Sequence, residues 1–417
     1  MNTRQLTEAI LDGGIRSNNF FNGRLLSAED LSSEQEANRE GHEALGQSIG
    51  EGVAYGLEVS RAAQAGTAPI VTIQPGLAVS RSGDTLRLTS EVNVSLIRPT
   101  ETVIQPVAAR AQFNACQPLQ SGSYVTGAGV YLLVLCPAQG REGRALVGGL
   151  NNTASGCNTK FIVDGVQFRL IQLDLTPAEL NDADHLRNLV AYKCFGAAET
   201  RQVLINPFGA DAVRVGLLEQ LRPNRLTDCD VPLAVLNWTA NDGIRFVDMW
   251  PARRRLTRSS VDGRWNSVLA DRRASEAEAM FLQFADQLDA LRIVNPEVVV
   301  ATQYFRYLPP VGILPLARPG MRGFSFLKFF EQRVYHRPVF IEGSRLEALI
   351  RYAMTYPPID MRQGEMVWVY LVRENHDPRA YAPSPVPIEY LIFTSGHVPY
   401  HGEALYDVAR WDYSNYS

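Results

Sequence analysis

The stretch Asn18–Ser60 constrains this chain more than any other. Within it, Ser27 stands three residues before Asp30. That spacing is a short-acid version of the capping box, so it predicts a helix start at Ser27. Glu29 and Asp30 place negative charge in the first turn, where the helix dipole favours it. No proline interrupts Ser27 to Ile49, so the helix should be long. Its apolar positions are few: Leu26, Leu31, Ala37, Ala44, Leu45 and Ile49. A helix this polar cannot be buried all round. It lies on its own domain with a narrow apolar stripe inward, or it packs against copies or partners.

Composition sets wider limits. A chain of 417 residues is long enough for two or three domains. Hydrophobic content of 46% with 20% charged residues is that of a folded globular protein. A net charge of −4 argues against a general nucleic-acid binder, which would be basic. Cys116, Cys136, Cys157, Cys194 and Cys229 are scattered, odd in number and without CxxC spacing. Reduced, buried thiols are expected. The N-terminus lacks a signal-peptide core, and no apolar run is long enough to cross a bilayer. The expected location is cytoplasmic.

Further along, the pattern changes. Residues 1–17 read as an amphipathic arm that ends at Gly13-Gly14. From Gly52 to Leu96 the period is two, with turns at Pro75-Gly76 and Ser82-Gly83-Asp84. A small antiparallel sheet or barrel of four or five strands follows from it. Gly129–Pro137 is apolar on both faces and should be a central strand. Residues 138–160 read as a loop or hairpin tip, and 161–174 as a hairpin turning at Asp164-Gly165. Thr176, Pro177 and Glu179 cap a helix to about Tyr192, and Asp211–Arg222 is a second candidate. A hairpin turns at Asn241-Asp242-Gly243, with Trp238 and Phe246 as a cross-strand pair. Phe281, Phe284, Leu288 and Leu291 mark a second long helix from near Ser275, and its stripe reads as core. The last third is rich in proline and aromatic residues. It carries helices at Phe324–Arg333 and Ser344–Tyr356, the latter with a Ser344/Glu347 capping box, and strands at Glu365–Arg373 and Glu389–Ser395.

The class is therefore α+β and multi-domain, mostly small antiparallel β-sheets with two long helices. The expected division is an N-terminal arm over 1–17 and a long helix with a small β-domain over 18–105. An α+β domain with central hairpins follows over 106–273. A long helix with an aromatic, proline-rich α+β domain completes it over 274–417.

Chemical signals are weak. His397, His401 and Glu403 are metal-ligand types, but Pro399 prevents a helical zinc pair. Asp360, Glu365, Glu374 and Asp377 could supply paired carboxylates. Ser395-Gly396-His397 lacks the G-x-S-x-G elbow of a hydrolase. No catalytic residue, cofactor or metal is assigned. The densest positive region is Arg253, Arg254 and Arg255, with Arg258, Arg264, Arg272 and Arg273. Contact with an acidic neighbouring subunit is the favoured use, since arginine suits buried ion pairs. The aromatic end, Tyr400, Tyr406, Trp411, Tyr413 and Tyr416, suggests docking.

Three stretches together resemble proteins of phage-tail-like contractile injection systems. FFNGRLLSAEDL matches an F-x-G-x-L-L-[ST]-x-x-D segment that opens a long helix, through Phe21, Gly23, Leu25, Leu26, Ser27 and Asp30. GVAYGLEV matches a G-x-x-x-G-L-x-V strand through Gly52, Gly56, Leu57 and Val59. PGLAVSRSG matches a P-G-x-A-x-x-x-x-G hairpin through Pro75, Gly76, Ala78 and Gly83. This copy departs from the pattern at Glu51–Ala54, where the family has a bulkier approach. The resemblance implies a baseplate-associated structural subunit (cage, wedge extension or fibre attachment) and no enzymatic activity. It implies partners among baseplate, spike or sheath proteins and copies of itself, with no nucleic acid. The particle would sit in the cytoplasm, dock at an inner or thylakoid-type membrane surface, or be released. Partner-interface candidates are Phe20, Phe21, Leu25, Leu26, Arg253, Arg254, Arg255, Trp411, Tyr413 and Tyr416. The alternative is an adhesin or carbohydrate-binding module using aromatic loops of the last third.

Overall fold

The computed structural model describes residues 15–63, 69–96, 129–146, 157–206, 208, 215–222, 224–239, 241–257, 271–293, 295–331, 339–373 and 389–398. The expected α+β organisation is found. Helix α1 (Ala28–Ile49) follows Ser27 as foreseen. Asp30 N–H donates to Ser27 Oγ at 3.1 Å, and Ser27 N–H donates to Asp30 Oδ2 at 2.9 Å. Both halves of the capping box are therefore closed.

After α1 come β1 (Gly52–Gly56), β2 (Val59–Arg61), β3 (Ile70–Ile73), β4 (Gly76–Val79), β5 (Thr85–Leu88) and β6 (Val92–Ser95). They form two three-stranded antiparallel sheets, β1-β4-β5 and β2-β3-β6, rather than one. Strands β7 (Gly129–Leu146), β8 (Cys157–Gln172), β9 (Val231–Thr239) and β10 (Gly243–Asp248) make a four-stranded sheet in the order β10-β9-β7-β8. Strand β7 is central, as its two apolar faces require. Its side chains alternate between two cores. Tyr131, Leu133 and Leu135 meet Leu57, Val71, Ile73 and Leu86 of the small sheets. Val130, Leu132, Val134 and Cys136 meet Leu186, Val190 and Cys194 on the other side.

The helices on that second face are α2 (Pro177–Asn181), α3 (Leu186–Phe195), α4 (Ala197–Ile205) and α5 (Leu217–Leu221). Thr176 and Glu179 close the expected capping box. The helix does not run on to Tyr192, however. Helix α2 ends at Asp182, whose φ −84 and ψ 73 leave the helical region, and α3 begins only after His185. The second candidate shrinks to α5; residues 211–214 lie outside the described residues.

Long helix α6 (Asp271–Arg292) starts earlier than Ser275. After it come α7 (Ala301–Tyr304), β11 (Tyr307–Leu308), β12 (Val311–Pro315), α8 (Phe326–Phe330), β13 (Val339–Glu342), α9 (Leu346–Ala353), β14 (Ile359–Asp360), β15 (Trp368–Arg373) and β16 (Tyr390–Thr394). The sheet β12-β16-β15-β13 is mixed, because β13 runs parallel to β15. Phe284 and Leu288 of α6 enter the core on one face of this sheet, with Phe305, Phe329 and Phe393. Ala279 and Met280 pack against Tyr192 and Phe195 of α3. The expected aromatic stripe of α6 is thus core, and α6 joins the central and last parts. His185 Nε2 and Thr302 O, 2.8 Å apart, link the same two parts.

Four local expectations are corrected. Asp164-Gly165 is no turn: Asp164 pairs with Gln139 and Gly165 with Ala138, midway along the β7–β8 ribbon. The stretch 138–160, expected as a loop or a hairpin tip, supplies strand on both arms of the β7–β8 hairpin, since β7 runs to Leu146 and β8 begins at Cys157. Trp238 faces Ile244, because a bulge between Ile244 and Phe246 shifts the register. Ser344 caps nothing; it lies in a 3₁₀ turn, and α9 starts after Arg345 with no side-chain cap. The thiols also differ from expectation. Cys136 and Cys194 are free and buried, whereas Cys229 is disulfide-bonded.

Candidate partner-binding surface

The surface is built from Ile15–Ser27 and α1. The chain before α1 is tied to the first half of the helix by polar contacts. Asn18 N–H donates to Glu34 Oε2 at 3.1 Å, Asn18 Nδ2 donates to the Asp30 carbonyl, and Arg24 pairs with Asp30. The hydrogen bond from the Ser27 backbone holds the Asp30 carboxyl below its usual range. With the backbone so fixed, the apolar side chains stay outside: Phe20 is 50%, Phe21 64%, Leu25 93% and Leu26 54% exposed. Of the candidate interface residues, these four sit on one capped element and are open.

The second half of α1 is fixed to the β4–β5 turn. Gly46 packs on the Gly83 backbone so closely that an added Cβ would lie 2.1 Å from Gly83 O. Gln47 Nε2 donates to Ser82 O at 2.9 Å. Arg39 reaches Asp164 on the β7–β8 ribbon at 3.2 Å. Only Ala37 and Gly46 of the helix are buried. The rest of α1 is therefore a ridge on the surface.

Beneath the end of α1 lies an ion network. Arg81 bonds Glu51 at 2.7 Å and Glu219 at 2.9 Å. Arg222 bonds Asp228 at 2.9 Å, and Arg272 bonds Glu219 at 3.3 Å and Glu276 at 2.9 Å. Burial opposes the charge on Arg81, but Glu51 and Glu219 outweigh it and raise its pKa. Burial likewise works against ionised Glu219, yet Arg272 and Arg81 keep its carboxyl below the usual range. The network binds the small sheets, α5 and α6 into one base for the ridge.

The arginine run has a different use from the one expected. Arg254 is turned inward: its guanidinium lies 4.9 Å from the Phe195 ring centre and donates to the carbonyls of Trp250, Arg253 and Pro251. Burial lowers its pKa to about 10. Arg253 donates to Gly56 O at 2.6 Å and lies 3.6 Å from Glu58. Arg255 is exposed but pairs with Glu278 at 2.9 Å. Arg272 and Arg273 serve α6; Arg273 donates to Tyr356 O at 2.8 Å. These side chains hold the chain to itself. Arg258 and Arg264 lie outside the described residues, as do Trp411, Tyr413, Tyr416, Tyr400 and Tyr406.

The described chemical candidates make the following contacts within the chain. Asp360 is buried and accepts from Arg362 and Gln363, and Glu365 pairs with Arg201. Ser395 Oγ donates to Pro357 O at 2.6 Å. His397 lies 4.7 Å from the Trp368 ring, and its carbonyl accepts from Tyr356. Among the described residues no group of His, Cys, Asp and Glu could hold a metal. Glu374, Asp377, His401 and Glu403 lie outside them. No described helix is long and apolar enough to cross a membrane.

Sequence reasoning missed the glycine contact that fixes α1. Its one signal was Gly83 in the Ser-Gly-Asp turn, read there only as a turn residue.

No protein-family model matches the chain, and no curated protein matches it. Among solved structures it is similar to TssK, with 9% identity and a TM-score of 0.27 over 69% of this chain and 52% of that one. It is also similar to a chain of the type VI secretion system TssK-TssF-TssG baseplate subcomplex, with 8% identity and a TM-score of 0.27 over 67% of this chain and 72% of that one. The chain spans about half the length of the first of these. Likeness at this level assigns neither a fold nor a role.

Proposed function

We propose that the chain is a structural subunit of a phage-tail-like contractile injection system, associated with its baseplate, and that it acts by assembly rather than catalysis. The observation that carries this reading is the capped ridge. Of the residues of the sequence resemblance, Ser27 and Asp30 cap α1, and Phe21, Leu25 and Leu26 just before it face outward. A monomer gains nothing by holding Leu25 almost fully in water on an ordered segment. A subunit repeated many times in a particle gains from even modest contacts, through multivalency. Neighbouring baseplate subunits are the partners this reading names, in a particle held in the cytoplasm or docked at a membrane surface.

The test is electron microscopy of particles purified with the gene intact, deleted, or carrying Phe21→Ser with Leu25→Ser. Density missing near the baseplate in the deletion and the double variant, with sheath and tube unchanged, is the expected result. Particles that never contain the protein would overturn the proposal.

A further inference from the structure

Both ring nitrogens of His185 face acceptors. Nδ1 lies 2.8 Å from Asp182 Oδ1 and 3.0 Å from Asp182 Oδ2. Nε2 lies 2.8 Å from the carbonyl oxygen of Thr302. A carbonyl oxygen only accepts, and so does an ionised carboxylate. A neutral imidazole has one N–H and one lone pair, so it serves one of these partners and turns a lone pair on the other. The imidazolium donates to both. A protonated Asp182 beside a neutral ring would hold the same single proton, but a carboxylic acid is the stronger acid and gives it to the ring.

The Thr302 carbonyl meets this donor for a local reason. It belongs to the single turn of α7, where helical carbonyls run out of partners. The amide four residues on, that of Arg306, donates instead to Asn188 Oδ1 at 2.8 Å. His185 thus fills the place that the next turn of helix would have filled.

We infer that His185 is a proton-operated latch between the central part and the last third, made in acid and released as pH rises through the histidine range. The neutral ring keeps its proton on Nδ1, because a hydrogen bond to the charged Asp182 is the stronger of the two. The bond given up is the one from Nε2 to Thr302, which is the one that crosses between the parts. The contact therefore adds stability while the ring is protonated and loses it as pH rises.

The charges around this end of α3 leave the latch in place. On α7, Ala301–Tyr304 carries no charged residue. Beyond α8, Glu331 accepts from Thr302 Oγ1 at 3.4 Å, and with Asp182 it favours the charged ring. Asp286 of α6 is paired with Arg187, and Glu179 of α2 with Lys193. Arg306 turns its guanidinium over the Tyr307 ring. Of the α3-end side chains His185, Arg187 and Asn188, which reach α6 and the last third, His185 alone changes charge near neutrality. The inference stands on this contact and not on the baseplate proposal.

The full chain with isotope-labelled histidine is read by NMR at about pH 5 and about pH 8, and His185→Gln assigns the signal. Both ring nitrogens of His185 should be protonated in acid, with Nδ1–H alone at the higher pH. Amide exchange over Thr302–Phe305, corrected for its intrinsic pH dependence, should quicken by about two- to tenfold, the worth of one hydrogen bond. Asp182→Asn should abolish that change, because the new amide donates to Nδ1 and leaves Nε2–H on Thr302 at either pH. A singly protonated His185 in acid would overturn the latch. So would an exchange change that persists in His185→Gln, since the titrating group would then lie elsewhere.

Discussion

Gly46 and Gly83 meet backbone to backbone, and that contact sets where α1 rests on the small sheets. A Cβ on Gly46 would lie 2.1 Å from Gly83 O, and one on Gly83 would lie 2.0 Å from Glu43 O. Gly83 also has φ +95, a conformation that side chains rarely adopt. Gly46→Ala should therefore cost ~1–3 kcal/mol by overpacking, and Gly83→Ala more. Gly41, with nothing within 4 Å, is the control. Gly41→Ala should stabilise α1 by about 0.5–1 kcal/mol. Hydrogen exchange along α1 reads all three, and equal protection in Gly46→Ala and the parent protein would refute the anchor.

The second prediction concerns pH. Asp230 is buried beside Arg169, which donates to it through Nε at 3.2 Å, and Thr227 N–H adds a bond of 2.6 Å. Burial opposes the Asp230 charge, but these donors outweigh it and hold the carboxyl below its usual range. A depressed carboxylate adds stability above its unfolded pKa, about 3.9, and that stability is lost as pH falls through the folded value. Asp248 works oppositely: burial raises its pKa despite Arg187, so its charge costs stability until acid neutralises it. Asp230→Ala should cost ~3–5 kcal/mol at pH 7, since Arg169 is left buried and unpaired. The gap between variant and parent should narrow below about pH 4. Denaturant titrations at pH 7 and pH 3.5 decide it; a constant gap would mean that the Asp230 carboxyl titrates alike in the folded and unfolded protein.

The readable parts of this architecture were those whose cause is local. Ser27 and Asp30 lie in one turn, so their pairing can be read from spacing, as can Thr176 and Glu179. Gly129–Pro137 declared a central strand because both of its faces are apolar. Expectation failed where distant chain decides. Asp164-Gly165 resembles a hairpin turn, but the longer alternation of the β7–β8 ribbon overrides it. Ser344 and Glu347 have the spacing of a cap, yet a 3₁₀ turn precedes the helix. Arg253 and Arg254 resemble a surface cluster until Phe195, Gly56 and Glu58 are brought beneath them. The open cluster at Phe20, Phe21, Leu25 and Leu26 was named from sequence, because a capping signal and the apolar run before it are both local.

Cysteine chemistry gives a third prediction. Burial drives the Cys136 thiol far above its usual range and pushes Cys194 up to about 12. The thiolate is the reactive form, so neither should react with iodoacetamide at pH 8 in the folded protein. Both should react after unfolding, while Cys229 should need a reductant first. Peptide mass mapping of native, unfolded and reduced samples distinguishes the three cases. Alkylation of native Cys194 within minutes would contradict its burial.

The last prediction tests whether α6 couples the final third to the rest. Phe329 lies 4.9 Å from Phe330, 5.6 Å from Phe324, 6.0 Å from Phe305 and 6.4 Å from Phe284, centre to centre. Phe284 comes from α6 and also touches Phe393 of β16 edge to face at 5.2 Å. Removing a ring here takes away buried area and several edge contacts together, so Phe329→Ala should cost ~3–5 kcal/mol, and Phe329→Leu clearly less. Phe284→Ala should cost a similar amount and should also loosen β12 and β16, because the ring from α6 is what their inner face rests on. Hydrogen exchange in β12, β15 and β16 separates the two variants from general instability. Faster exchange there, with β7 and β9 unchanged, is expected. If β7 and β9 exchange faster to the same degree, α6 belongs to one cooperative unit with the central sheet and the final third does not open by itself.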